Sequence, residues 1–286
     1  MSGTGSGTIG AQTILPARRE PLTVHAADGV ELVGELALPP DSRPPAATLL
    51  LLHPLPTHGG SMDSHLFRKA AWRLPALADL AVVRFNTRGT CSQLGCSTGR
   101  FEGGIGEGAD LAAMVQFVKD QGLPKPWLVG WSFGSELAFM HGHRLDVEGV
   151  IALSPPLRRA RSEHLIQWAA ARKPVLAMVP EKDQFLSPSE ARARLALLPQ
   201  AKVVEGKGAV HLWIGEQSVR QVLDGIVNLV RPGFGPLPRH WDGPSTTYQA
   251  EHHRPANSES LTEAATTRSA QSAPQDPSEH QPRRSE

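Results

Sequence analysis

The sequence predicts an α/β fold: a mostly parallel, twisted sheet of about eight strands with helices on both faces. Three observations carry this. Short, wholly apolar runs alternate with longer amphipathic stretches, the pattern of parallel strands joined by crossover helices. Ahead of them, two segments of alternating apolar and polar residues flank Asp28-Gly29, a dipeptide that favours a tight hairpin turn. Of the 286 residues, 40% are hydrophobic and 20% charged, so a sizeable core can be buried.

The chain opens with Gly, Ser and Thr, and residues 1–20 read as a flexible N-terminus. They lack the basic start and continuous apolar stretch of a signal peptide. Leu22–Ala26 and Val30–Leu38 then form the antiparallel hairpin. Six apolar runs of strand length follow: Thr48–Leu52, Val82–Phe85, Trp127–Val129, Val150–Leu153, Val175–Val179 and Lys202–Val204. Helices are expected near His65–Ala78, Glu107–Gln121, Phe133–His141, Glu163–Ala171, Pro188–Leu198 and Ser218–Val230, several opened by Ser or Pro. One domain over residues 21–232 accommodates these elements. Only about twenty residues separate Leu153 from Val175, room for one helix, so any cap over residues 154–173 is minimal. Residues 233–286 are expected to be a disordered tail, because from Arg239 onward Ser, Thr, Pro, Gln and His crowd out aliphatic side chains.

Composition narrows the partners. With 29 Lys and Arg against 28 Asp and Glu, the net charge of +1 gives no field to hold a polyanion, and nucleic acid is not expected. The longest apolar run, Ala46–Leu52, falls far short of the roughly 20 residues that span a bilayer. No membrane partner is expected, and the location is read as cytoplasmic. The two cysteines, Cys91 and Cys96, lie on a Gly-rich loop and are read as free thiols. They can build neither a disulfide framework nor a four-ligand zinc site, and no metal or cofactor is expected.

Residues 130–134 spell Gly-Trp-Ser-Phe-Gly, a G-x-S-x-G match that chance supplies about 0.2 times in a chain of this composition. Its surroundings raise its weight. The apolar run Trp127–Val129 precedes it and a helix from Phe133 follows, the strand, sharp turn and helix of a nucleophile elbow. There Ser132 would project clear of the sheet over a helix N-terminus, whose dipole favours an anionic intermediate. The plainer reading is a Gly-rich turn with Ser132 as an ordinary helix cap.

A serine hydroxyl needs a base, and the base an orienting carboxylate. His211 follows the last strand run and Asp183 the one before it, in the chain order Ser, Asp, His that this arrangement uses. Glu181 is the nearest substitute carboxylate. Two backbone N–H groups should hold the oxyanion: that of Phe133, next to the nucleophile, and one from the loop after Thr48–Leu52. In His53-Pro54-Leu55-Pro56 the prolines have no N–H, so Leu55 is the first candidate past His53. His53 and His58 read as loop polarity.

Taken together, His53-Pro54-Leu55-Pro56, Gly59-Gly60-Ser61-Met62-Asp63, Arg84-Phe85-Asn86-Thr87-Arg88-Gly89, Gly104-Ile105-Gly106-Glu107 and Gly130–Gly134 resemble a cap-less group of bacterial α/β hydrolases. That group is related to dienelactone hydrolases and small acyl esterases, and the resemblance runs over roughly residues 22–230. It implies Ser132 as nucleophile, Asp183 as orienting acid and His211 as base. The chain departs from the group at Leu55, where a second histidine is common, and at residues 90–100, where the group's turn is shorter.

The expected activity is hydrolysis of a small soluble acyl substrate, a carboxylic ester or thioester, through an acyl-serine. Transfer of the acyl group to another acceptor is the rival within enzymes, and a non-catalytic binding module on the same fold is the rival outside them. Arg158, Arg159 and Arg161 between the fourth and fifth apolar runs could attract an acidic substrate, but read first as a solvated basic face.

Overall fold

The computed structural model describes residues 7–249. At its centre lies a sheet of eight strands: β1 (Arg18–His25), β2 (Glu31–Leu38), β3 (Ala47–Leu52), β4 (Leu80–Phe85), β5 (Pro126–Trp131), β6 (Gly149–Leu153), β7 (Val175–Lys182) and β8 (Ala201–Val210). Their order across the sheet is β8-β7-β6-β5-β3-β4-β2-β1. All six predicted apolar runs are strands, and they pair in parallel. The Asp28-Gly29 hairpin joins β1 to β2, and β2 pairs antiparallel with β4, so the sheet is mixed at that edge alone.

Side chains alternate between the two faces along a strand, and both faces here are apolar. Leu50 and Leu52 of β3, Leu128 of β5 and Val150 of β6 face one core. There they meet α2 (Glu107–Asp120), α3 (Phe133–His141), α4 (Ser162–Ala171) and α5 (Pro188–Arg194). Leu49, Leu51, Val129 and Ile151 face the other core, under α1 (His65–Ala78) and α6 (Glu216–Val230). Helix starts follow local chemistry: Ser187 caps α5, Pro188 takes its first position, and Glu190 reaches back to the Ser187 N–H. Pro75 sits inside α1, where it cannot donate to Ala71, and the Arg19 guanidinium donates to that carbonyl at 2.9 Å instead.

Three expectations need correction. The flexible N-terminus does not extend to residue 20. Ile9 and Leu15 are buried, and Arg18–His25 is already β1. The tail does not begin at 233: Leu237 is buried, and Tyr248 packs on Trp72 with ring centroids 4.9 Å apart. Residues Gly7–Thr8 pair with His240–Trp241, and Thr13–Ile14 with Thr246–Thr247, so both ends of the described chain are tied to the domain. The rest of the expected disordered tail, 250–286, lies outside the described residues. Third, Cys91 and Cys96 are not free thiols but a disulfide. They face each other across a two-rung antiparallel ladder, which brings their Cα atoms to 4.0 Å.

Between β6 and β7 stands only the ten-residue α4. Among the described residues, no helix is long and apolar enough to cross a membrane.

Candidate active site

The elbow begins where β5 ends. Leu153 of β6 pairs with Trp131, and the Ser132 N–H continues that ladder by donating to the Leu153 carbonyl at 2.8 Å. The chain then reverses into α3 with Ser132 at φ 53°, a left-handed conformation uncommon for a serine. Only glycines fit on either side. A Cβ on Gly134 would stand 1.8 Å from the Leu52 carbonyl oxygen, and one on Gly130 2.3 Å from that of Gly134. Ser132 stands at the N-cap position of α3, but its side chain makes no capping bond there and its hydroxyl meets His211 instead.

Asp183 and His211 are brought together by strand register. Lys182 of β7 pairs with Val210 of β8, and the next residue of each strand is the predicted acid and the predicted base. His211 Nδ1 lies 2.9 Å from Asp183 Oδ2 and 3.1 Å from Oδ1, and its Nε2 lies 2.9 Å from Ser132 Oγ. The Asp183 side chain is 2% exposed and the His211 side chain 6%, so the pair is shielded from water. With the Nδ1 proton on the carboxylate side, Nε2 is left as the acceptor for the Ser132 hydroxyl. Asp183 is fixed in turn by the Phe185 N–H, which donates to Oδ1 at 2.8 Å. Glu181 points elsewhere, accepting from the Gly208 N–H at 2.7 Å.

The two predicted oxyanion donors sit at the same edge. Phe133 is the first residue of α3, so its N–H has no helical partner. The loop carrying Leu55 leaves β3 where Leu52 and His53 press on Gly134, and the Leu55 N–H makes no hydrogen bond among the described residues.

His53 has a role that the sequence reading missed. It is buried, its Nδ1 donates to the Pro54 carbonyl at 2.7 Å, and its Nε2 accepts from the Thr87 N–H at 3.0 Å. It thereby joins the Leu55 loop to the loop after β4. Burial, partly countered by the bond to Pro54, pushes its pKa from an ordinary 6.5 down to about 4. His58 is exposed; its ring meets the Thr57 hydroxyl and its N–H donates to the Leu55 carbonyl. Ser154, Trp131 and Trp213 were also missed. The Ser154 hydroxyl and the Trp131 indole donate to the His211 carbonyl at 2.9 and 3.2 Å, and the Trp213 indole donates to Ser154 at 2.9 Å. Position alone could have singled out Ser154, the first residue past β6.

Glu136, one turn into α3 and fully buried, accepts from the N–H groups of Arg158 and Arg159 at 2.7 and 2.8 Å and from that of Ala160. It fixes the loop that stands in place of a cap. Among the described residues, no three His, Cys, Asp or Glu side chains converge as metal ligands do.

No family model matches the chain. An uncharacterised protein of Rickettsia prowazekii is 25% identical over 152 residues, which cover 52% of this chain and 62% of that protein. The chain thus matches less than two thirds of that relative's length. Among solved structures, a lid-less α/β serine hydrolase of Xanthomonas campestris is 27% identical, with a TM-score of 0.61, over 76% of this chain and 95% of its own. A serine hydrolase homologue from Coxiella burnetii is 24% identical over 73% of this chain and 96% of its own, also at 0.61. An esterase of Pyrococcus furiosus reaches a TM-score of 0.64 at 16% identity, over 77% of this chain and 92% of its own, a likeness of fold alone. The chain has the α/β-hydrolase fold in its cap-less form.

Proposed function

We propose that the protein is a serine hydrolase that opens a small soluble carboxylic ester or thioester through an acyl-serine intermediate. The observation that carries this reading is the unbroken line of contacts from Asp183 through His211 to Ser132 at the elbow.

In this reading His211 Nε2 takes the Ser132 proton as Oγ attacks the acyl carbonyl, and Asp183 stabilises the imidazolium that forms. The carbonyl oxygen, now anionic, is held by the N–H groups of Phe133 and Leu55 at the positive end of α3. His211 then gives its proton to the leaving alcohol or thiol. Water enters, loses a proton to the same Nε2 and attacks the acyl carbon; the bond from that carbon to Ser132 Oγ then breaks, His211 returns the proton to Oγ, and the acid departs. One helix stands in place of a cap, which favours short acyl groups over long buried chains.

The test is turnover of a panel of 4-nitrophenyl acyl esters alongside labelling by a fluorophosphonate. Wild type should be labelled and turn over short esters, and Ser132→Ala should lose labelling and about a millionfold in kcat while keeping its circular dichroism. A folded wild type that takes no label and cleaves no ester, or a Ser132→Ala protein that remains active, overturns the reading.

A further inference from the structure

An open groove of about 450 Å³ runs between the start of α4 and the end of α5. Arg158, Arg161 and Arg194 supply its charge, and Leu157, Leu165 and Leu197 its apolar surface. No carboxylate lines it. Among the described residues, none of the three guanidiniums forms an ion pair. Of the acids nearby, Glu136 binds the backbone of residues 158–160, Glu190 accepts from Ser187 while lying one helical turn before Arg194, and Glu163 is exposed in the first turn of α4. Arg194 donates to the Leu157 carbonyl at 3.1 Å, which holds it toward the groove.

Arg158 connects the groove to the reactive atoms. Its guanidinium lies 5.1 Å from the centre of the Phe185 ring, and that ring stands edge-on to the His211 imidazole with centroids 4.5 Å apart. Three like charges around one hollow repel each other until an anion fills it. Planar guanidinium forks match the oxygens of a carboxylate or phosphate. The leucines suit the apolar carbons between that anion and the ester.

We propose that this groove binds the anionic end of the substrate, so that the ester opened at Ser132 carries a carboxylate or phosphate group on its acyl or alcohol side. The inference rests on the hydrolase reading and narrows its substrate class.

The experiment compares kcat/KM for three 4-nitrophenyl esters of similar length: the neutral valerate, the monoester of glutaric acid, and a phosphonate-terminated analogue. In wild type at low salt, an anionic ester should exceed the valerate by roughly tenfold, about one charged hydrogen bond. The larger of the two anionic ratios identifies the group. The ratio should shrink as salt is raised and fall toward one in Arg158→Gln/Arg161→Gln, which replaces two exposed side chains. An equal or lower rate for both anionic esters in wild type, or a ratio that survives the double substitution, overturns the inference. Valerate turnover and fluorophosphonate labelling report on the hydrolase reading separately: with both present and the ratio at one, only the groove assignment fails; with both absent, both fail.

Discussion

The two sides of the sheet use polar side chains in opposite ways. On the β5–β8 side, they gather at the carboxyl ends of neighbouring strands, where Ser132, Ser154, Asp183 and His211 form one hydrogen-bonded group. On the β1, β2 and β4 side, permanent charges are paired in the interior. Arg84 bonds Glu35 at 3.1 Å and also Asp63, while Arg88 is held by Asp110 at 2.7 Å. On the proposed hydrolase reading the difference is one of task. A group that gains and loses a proton in each turnover must reach substrate, whereas a fixed ion pair can be buried to lock a loop. Arg84 locks residues 62 and 63, which lead into α1, and Asp110 locks the turn at Arg88 through both its guanidinium and its N–H.

If this division is correct, substitutions on the first side act on rate and those on the second on stability. The largest effect is expected from Asp183→Asn, which keeps the shape of the pair but favours the wrong imidazole tautomer. The kcat should fall about 10⁴-fold with the melting temperature nearly unchanged, and a matching loss of stability would break the comparison. Asp110→Ala should do the reverse. It leaves a buried guanidinium without its main partner and should cost about 3–5 kcal/mol in urea unfolding, with kcat retained below the melting transition. A large drop in kcat of the folded variant would show that the paired side also serves the chemistry.

Leu55→Pro sharpens the boundary between the sides. Leu55 has φ −56°, which proline adopts without strain, so the substitution removes the N–H and trims a partly buried side chain at the edge of the core. A loss of one oxyanion donor, about 10²–10³ in kcat, should follow without unfolding. An unchanged kcat would move the second donor to another residue of the loop.

The smallest expected effect is the pH dependence set by His53. Its folded pKa of about 4 lies below its ordinary 6.5, so the unfolded chain takes up the proton first as pH falls. Its contribution is complete above pH 6.5 and is lost between 6.5 and 4, about 3 kcal/mol in all. Urea unfolding at pH 7.5 and pH 4.5 should differ accordingly, and the difference should shrink in His53→Gln. A His53→Gln protein with the same pH dependence as wild type would assign the loss to other groups.

Much of this architecture was legible in the sequence, for identifiable reasons. Five of the six runs belong to strands buried on both faces, which must be apolar throughout, whereas Lys202–Val204 lies in the largely exposed edge strand β8 and was marked by its β-branched residues. The elbow was legible because its glycines are sterically forced, and Asp183 and His211 because chain order places them at successive strand ends. The ion pairs were not. Arg84 and Glu35 are 49 residues apart, and nothing local marks either as a partner of the other. Both β7 and β8 run past the expected strand ends in exposed, polar segments that lack the apolar signal, though these segments set the Asp183–His211 register. The disulfide was missed because two cysteines five apart are compatible with free thiols as readily as with a hairpin staple. It also weighs against the expected cytoplasmic location, where reducing thiols keep most such pairs open.

The pairing of residues 7–14 with residues 240–247 makes the fold nearly a closed ring, with its seam where the two ends are clasped. Neither side of this clasp can open alone: releasing Thr246–Thr247 also frees Thr13–Ile14, and with them the supports of Leu15 and Tyr248. Joining Gly7 to Gln249 by a linker, in place of the residues outside them, would keep both ladders while new termini are opened in an exposed turn such as that at Gly29. The order of elements along the chain could thus be rewired, with the meeting of β5, β7 and β8 at Ser132, Asp183 and His211 left intact.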